Sequence, residues 1–338
     1  MNANRWIAHF GSLRSTLALL GLLALAVAAG LWREALGTPA LVLAMGLLSL
    51  NLVAALVVHP AFRRQLPLLV AHLALLALVL LAGLGRLLTF EGRFELTQGV
   101  AFDGQVIDGR AGALHRDASL ARLGFVNEGF EIDYAPGRKR GATRNAVRWR
   151  DDAGREQRAV IGDHRPLVID GHRVYTSPNK GFAPLLNWTP DGGEPVRGAV
   201  HLPAFPAHEL RQSREWRLPD GREAWVLLQT DETLIDPARA DRFRLPARHV
   251  LVLRMDPLRH ELSPGQSVRL EGGTLTYLGL ATWMGYRVTY DPTLAWMLAA
   301  ALLAALALGA HYVQRFFLLP RAAAREATPT PSIEPRHA

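Results

Sequence analysis

The sequence predicts a membrane protein with four transmembrane α-helices, three N-terminal and one C-terminal, and a large extracytoplasmic β-rich, sandwich-like domain between helices three and four. Three observations predict this fold class. Apolar residues make up 49% of the 338-residue chain, but they are concentrated in a few stretches. Four of these stretches lack Asp, Glu, Lys and Arg, and their lengths are close to the roughly 20 residues that a helix needs to cross a bilayer. The segment between the third and fourth stretches instead has short alternating runs and turn dipeptides.

The apolar stretches define the predicted spans, which are Ser15–Trp32, Pro39–Val58, Leu66–Gly85 and Thr293–Gln314. A surface helix of a soluble protein would keep a polar face, whereas these stretches are apolar all round. The first span also fits a cleaved signal peptide, because arginines precede its apolar run and Ala26-Val27-Ala28 resembles a cleavage site.

Arginines in the short flanks predict the orientation, since cytoplasmic flanks carry the excess of positive charge. Arginines precede the first span, join the second to the third at Arg63 and Arg64, and follow the fourth. We therefore expect a bacterial inner-membrane protein with both termini in the cytoplasm. The expected domains are residues 1–90 (N-terminal membrane region), 91–291 (extracytoplasmic β-rich domain), 292–314 (fourth transmembrane helix) and 315–338 (a disordered cytoplasmic tail).

The segment between the third and fourth spans carries the signals of strands and tight turns. Asp-Gly dipeptides recur, and the runs beside them are short and apolar or alternating. The clearest hairpin has strands Leu167–Ile169 and His172–Tyr175 joined by Asp170-Gly171. Further strands are expected within Gly124–Tyr134, Arg222–Gln229, His249–Met255 and Thr274–Leu280.

Composition excludes several classes of function. The chain has no Cys, so it forms no disulfide, has no thiol redox chemistry and cannot hold haem through a CXXCH motif of its own. The net charge is +8, and nearly all of the positive charge comes from arginines scattered along the chain. This pattern favours contacts with membrane lipid and argues against nucleic-acid binding. Motifs for hydrolases, P-loop ATPases, zinc proteases and dinucleotide binding are missing. An autonomous enzyme is therefore not expected.

The histidines within and beside the spans are the informative residues. His72 lies inside span three, His59 at the end of span two and His311 near the end of span four. An ionisable side chain within a bilayer usually faces the helix bundle and has a partner. A neutral imidazole can be an axial ligand of haem iron, but His72 could equally donate a hydrogen bond between helices. His59 and His311, at the predicted boundaries, could simply be interfacial.

One segment of the predicted outer domain could bind a metal ion. Asp163, His164, Asp170 and His172 are four residues of types that bind metal ions, within ten positions. Asp170 and Gly171, however, also form the predicted hairpin turn. We therefore expect no metal apart from haem iron.

Several stretches, taken in order, resemble a known family. In the membrane part these are Leu48–Leu52, His72–Leu76 and Gly83–Gly85, followed by Gly92–Gly99 at the entry to the outer domain. In the outer domain they are Ile169–Tyr175, Ser177–Phe182, Tyr277–Leu280, Tyr286–Val288 and Asp291-Pro292. Together they resemble the ResB-type subunits of the System II cytochrome c biogenesis apparatus.

The resemblance implies a function. Such a subunit works with a second membrane protein, of the ResC or CcsA type, that carries a Trp-rich haem-handling motif absent here. The pair would export haem b, held transiently and shared between the subunits, and present it to the CXXCH thiols of apocytochrome c. This chain would then be a non-catalytic or accessory subunit of a cytochrome c haem lyase, with His72 as an axial ligand. The alternative is a structural or sensory membrane protein whose outer domain binds another protein without haem.

Overall fold

The computed structural model describes residues 3–207, 210–255 and 257–318. It divides into two compact units. A helical unit comprises Met1–Thr89, Gly112–Leu114 and Asp291–Ala338, and a β unit comprises Phe90–Ala111 and His115–Tyr290. Residues 319–338, on which most of the predicted disordered tail falls, lie outside the described residues.

The helical unit contains the four long apolar helices that the sequence predicts, and each is long and apolar enough to cross a membrane. The helices are α1 (Ala3–Phe10), α2 (Leu13–Trp32), α3 (Glu34–Val58), α4 (Pro60–Arg64), α5 (Leu66–Leu88) and α6 (Leu294–Val313). Helix α3 begins five residues before the predicted Pro39, and α5 continues past Arg86. The predicted spans stop at the first charged residue, because they were defined by the absence of charge. The backbone hydrogen bonds of a helix continue past such a residue.

The long helices pack in the order α2, α3, α5, α6. Helices α5 and α6 are antiparallel neighbours, because a Cβ built on Gly85 would lie 2.9 Å from Thr293 Oγ1. The outward faces of the long helices are apolar: Trp32 on α2 is 91% exposed and Leu306 on α6 is 73% exposed. Apolar surface on this scale needs a non-aqueous cover, and a bilayer provides one.

A buried asparagine fixes the junction of α1 and α2 against α3. Asn51 is 1% exposed; its Nδ2 donates to the Phe10 carbonyl, and its Oδ1 accepts from Thr16 Oγ1 at 2.8 Å. A Cβ on Gly11 would lie 2.8 Å from the Ala55 backbone nitrogen, so only glycine permits this approach. The two hydrogen bonds satisfy an amide that would be costly to bury alone.

The β unit consists of antiparallel strands in three sheets. The strands are β1 (Phe90–Thr97), β2 (Asp108–Ala111), β3 (Val126–Ala135), β4 (Lys139–Arg150), β5 (Glu156–Ile161), β6 (Leu167–Ile169), β7 (His172–Pro190), β8 (Val196–Ala199), β9 (Ser213–Arg217), β10 (Glu223–Gln229), β11 (Asp241–Arg242), β12 (Val250–Met255), β13 (Leu258–Leu262), β14 (Ser267–Leu270) and β15 (Gly273–Tyr290). The central sheet has the order β2-β1-β15-β7-β6, with β14 beside β15 and β8 beside β7. The second sheet is β13-β12-β10-β9, and the third is β11-β3-β4-β5.

The predicted hairpin is confirmed. Strands β6 and β7 pair Leu167 with Val174 and Ile169 with His172. Asp170 and Gly171 both have positive φ, 49° and 76°, as the two central residues of a type I′ turn require. The outer-domain stretches that carry the family resemblance lie mostly on β7 and β15, the two longest strands, which pair with each other over most of their length.

Apolar burial forms two cores in the β unit. One contains side chains of all three sheets, among them Tyr277, Val226 and Ile132. The other lies between the central and third sheets and includes Phe94 and Val147. In this second region Tyr286 donates its hydroxyl to Asn145 Oδ1 at 2.8 Å. Burial raises the pKa of Tyr286 well above its usual value, so the hydroxyl keeps its proton.

Candidate functional site

His72 lies on α5, near the end of the helix that the orientation prediction places toward the cytoplasm. Its Nδ1 is 2.8 Å from the Leu68 carbonyl oxygen. A carbonyl oxygen can only accept, so Nδ1 carries the proton and Nε2 holds the lone pair. No group among the described residues forms a hydrogen bond with Nε2. The side chain is only partly buried, and Nε2 is the atom through which this tautomer of imidazole can bind iron.

An aromatic ring that the sequence analysis missed lies beside His72. Phe62 is 8% exposed, and its ring centre is 4.6 Å from that of His72. Phe62 reaches this position because α4 is a separate short helix between α3 and α5. Pro60 at its first turn was the available signal, since proline favours that position of a helix.

His59 lies between α3 and α4 and contacts the same phenyl ring. The centres of the His59 and Phe62 rings are 6.4 Å apart. His59 Nε2 donates to the Gly11 carbonyl at 3.3 Å, which leaves the lone pair on Nδ1. The structure thus brings His59 and His72 into contact with the same phenylalanine ring, with His59 exposed and His72 partly buried.

His311 is not part of this group. Its ring contacts that of Tyr312 at 5.8 Å, and among the described residues it has no ring contact with His72 or His59. From the level at which Gly85 meets Thr293, His72 lies roughly 20 Å and His311 roughly 27 Å along their antiparallel helices, at about 1.5 Å per residue. His311 is therefore nearer to the end of α6 than His72 is to the start of α5.

Three of the four residues that could have formed a metal site in the β unit have other partners in the structure. Among the described residues no three His, Asp or Glu side chains are placed to hold a metal ion. Asp163 pairs with Arg140 and accepts from Thr176 Oγ1 at 3.1 Å. Asp170 occupies the turn, with Arg122 Nε 3.3 Å from its carboxylate. Both carboxylates already have cationic partners.

The chain is similar to known proteins in sequence and in fold. The model of the ResB-like family matches residues 61–212, just under half of the chain, from α4 through β8. The solved structures include a similar chain, the cytochrome c haem lyase CcmF, at 16% sequence identity and a TM-score of 0.24. That match covers 88% of this chain and 34% of the CcmF chain, so this chain spans about a third of its length. A search of the curated proteins found no match. The predicted resemblance to ResB-type cytochrome c biogenesis proteins is confirmed by the family match over residues 61–212.

Proposed function

We propose that this chain is a subunit of a System II cytochrome c maturation complex that binds haem within the membrane and passes it to the outer face. The observation that carries the proposal is the state of His72. Its Nδ1 proton is fixed on the Leu68 carbonyl at 2.8 Å, and its Nε2 lone pair is available as an axial ligand. The ResB-like family match supports a role in cytochrome c biogenesis.

The groups around His72 suit haem. The phenyl ring of Phe62, 4.6 Å from the imidazole, would be an apolar aromatic neighbour of haem held by His72. Arg63 and Arg64 end the same short helix, and guanidinium groups bind carboxylates such as the haem propionates. His59 is a second imidazole in contact with Phe62. These residues would bind and orient haem; no bond-forming step is assigned to them.

Haem is the cargo of this site, and a second subunit completes the pathway. The chain itself has no Cys and no Trp-rich motif, so a membrane partner of the ResC or CcsA type would receive the haem. Attachment then takes place on the CXXCH thiols of apocytochrome c. In this arrangement the present chain is the accessory subunit, and both of its termini are cytoplasmic.

The experiment that tests the function is purification of the chain together with its Trp-rich partner from haem-replete cells. We expect the complex to show the absorption spectrum of ligated haem b, because the His72 imidazole can bind haem iron through Nε2 within the membrane. An unrelated four-helix membrane protein, purified from the same cells in the same way, is the control. An intact complex that contains no haem would contradict the proposal.

Topology gives a separate prediction. Reporter fusions after Arg64 and after Gly171 should lie on opposite sides of the membrane, because the arginine pair marks a cytoplasmic loop and α5 lies between the two positions. Alkaline phosphatase and green fluorescent protein, active on opposite sides, are the reporters. Activity of the same reporter at both positions would refute the orientation.

A further inference from the structure

The short helix α1 is amphipathic, and its apolar face is uncovered. Trp6 and Ile7 share a face with Phe10, because residues three and four apart are neighbours on a helix. Trp6 is 60% exposed and Ile7 is 41% exposed. Arg5 and His9, four residues apart, lie together on another side of the helix and are also exposed. The proposed function uses none of these side chains, and sequence analysis treated this segment only as a charged flank.

Contacts with α3 hold α1 at one end of the helix bundle. The Phe10 carbonyl, at the end of α1, accepts from Asn51 Nδ2, and a Cβ built on Gly11 would lie 2.8 Å from the Ala55 backbone nitrogen. Ala55 is about one turn before α3 ends at Val58. Helix α3 is long enough to cross a bilayer. Helix α1 is therefore fixed beside the boundary between hydrocarbon and headgroups, and not beside the bilayer centre.

This end of the bundle carries positive charge without acidic neighbours. Arg5 on α1 and Arg14 in the first turn of α2 are exposed, and the described residues pair neither of them with a carboxylate. The one acidic residue in positions 1–89 is Glu34, which begins α3 at the opposite end of the bundle. Arginine clusters at a membrane surface are attracted by anionic phospholipid. The charge here therefore favours an anionic headgroup over one with no net charge.

An exposed apolar strip on α2 begins beside Arg14. Leu13 is 73% exposed, and Leu17, one turn further along, is 60% exposed. Arg14 and Leu17 are three residues apart and so lie on the same side of α2. Side chains of a helix lean toward its N-terminus, which directs the Arg14 guanidinium toward the end of the bundle and leaves Leu17 deeper. A phospholipid has the same order, with a charged headgroup above an apolar chain.

We propose that α1 lies in the headgroup layer of the bilayer and that α1 and Arg14 together bind anionic phospholipid. The apolar face of Trp6, Ile7 and Phe10 meets the hydrocarbon, as in other interfacial helices. The guanidinium groups of Arg5 and Arg14 bind the lipid phosphate. The arginines of α4, which the proposed function assigns to haem, are not part of this site. The lipid site therefore goes beyond that function and stands without it.

The first test measures how deep α1 lies in the bilayer. The chain has no Cys, so Ile7→Cys and Ala8→Cys each create a single position for a nitroxide spin label. The full chain is reconstituted in vesicles of phosphatidylglycerol and phosphatidylcholine. At position 7, on the apolar face, oxygen dissolved in the hydrocarbon should relax the label more than an aqueous nickel chelate does. The order should be reversed at position 8, because Ala8 is exposed and points away from that face.

The second test measures the preference for anionic lipid at this position alone. An environment-sensitive dye on Ile7→Cys, in the detergent-solubilised full chain, reports lipid that reaches α1. Phosphatidylglycerol should shift the dye emission at a lower concentration than phosphatidylcholine does. Arg5→Gln and Arg14→Gln should each raise the phosphatidylglycerol midpoint about fivefold, the usual contribution of one arginine at an anionic surface. Arg33→Gln, at the other end of α2, is the matched control and should leave the midpoint unchanged.

Any of three results would overturn the proposal. The first is equal relaxation by the nickel chelate at positions 7 and 8. The second is an equal midpoint for the two lipids, or an unchanged phosphatidylglycerol midpoint in the double variant Arg5→Gln, Arg14→Gln. The third is a label at position 7 that becomes shielded from water only when the membrane partner is added, because α1 would then contact protein. Circular dichroism of each variant confirms that a loss of lipid binding is not a loss of helix.

Discussion

Replacing His72 with alanine should remove most of the haem that copurifies with the complex of this chain and its Trp-rich partner. The imidazole offers its Nε2 lone pair while Nδ1 is held on the Leu68 carbonyl at 2.8 Å, and alanine offers no ligand. Alanine is the best helix former, so α5 should still insert. The lost ring contact with Phe62 costs only about 1 kcal/mol. The haem content of the purified complex, measured by its absorption spectrum, should fall by about tenfold or more.

The controls separate a ligand from a structural histidine. His311→Ala changes the same residue type in another span, and it should retain haem because His311 contacts Tyr312 rather than His72. Imidazole added to the His72→Ala complex should restore part of the haem spectrum, since a small ligand can occupy a vacant iron position but cannot rebuild a helix contact. A His72→Ala complex with its full haem content would show that the assignment is wrong.

The long helices were predictable because hydropathy accumulates over about 20 residues. The short helix α4 was harder to predict, because Pro60–Arg64 is too short for a periodic signal and only Pro60 marks its first turn. For that reason Phe62, which lies against His72, could not be placed from the sequence. His59 and His72 could be assigned to the same membrane side from the arginine bias, but their shared contact with Phe62 depends on the turn between α3 and α5.

In the β unit the sequence predicted strands and one hairpin but not the three sheets. The Ser177-Pro178-Asn179 stretch is typical of a loop, yet it lies within β7, where the pairing with β15 shifts register. A bulge of this kind lets a strand continue past a proline. Asn145 similarly suggests a turn, but it is buried and accepts the Tyr286 hydroxyl at 2.8 Å. Tertiary hydrogen bonds, absent from local patterns, decide both positions.

A buried lysine of the β unit should give its stability a distinctive dependence on pH. Lys180 is 1% exposed, and its Nζ donates to Thr143 Oγ1 at 2.8 Å. Burial and the positive charge of Arg140 lower the pKa of Lys180 to about 8, although the negative charge of Asp163 acts in the opposite direction. In the unfolded chain the pKa of a lysine is about 10.4. Between these two values the unfolded chain holds more protons than the folded one.

The free energy of unfolding should therefore rise with pH from about 8 to about 10.4, by up to about 3 kcal/mol at 1.36 kcal/mol per pKa unit. Lys180→Met keeps a long unbranched side chain but has no ionisable ammonium group, so this rise in the free energy of unfolding should be absent from the variant. Lys139→Met, at the other lysine of the chain, is the matched control, because Lys139 is exposed and its loss should leave the rise in place. Urea unfolding of the detergent-solubilised chain, followed by tryptophan fluorescence at pH 7.5, 9 and 10.5, measures the three free energies. Equal pH dependence in the native chain and in Lys180→Met would show that the ammonium group is not destabilised by its burial.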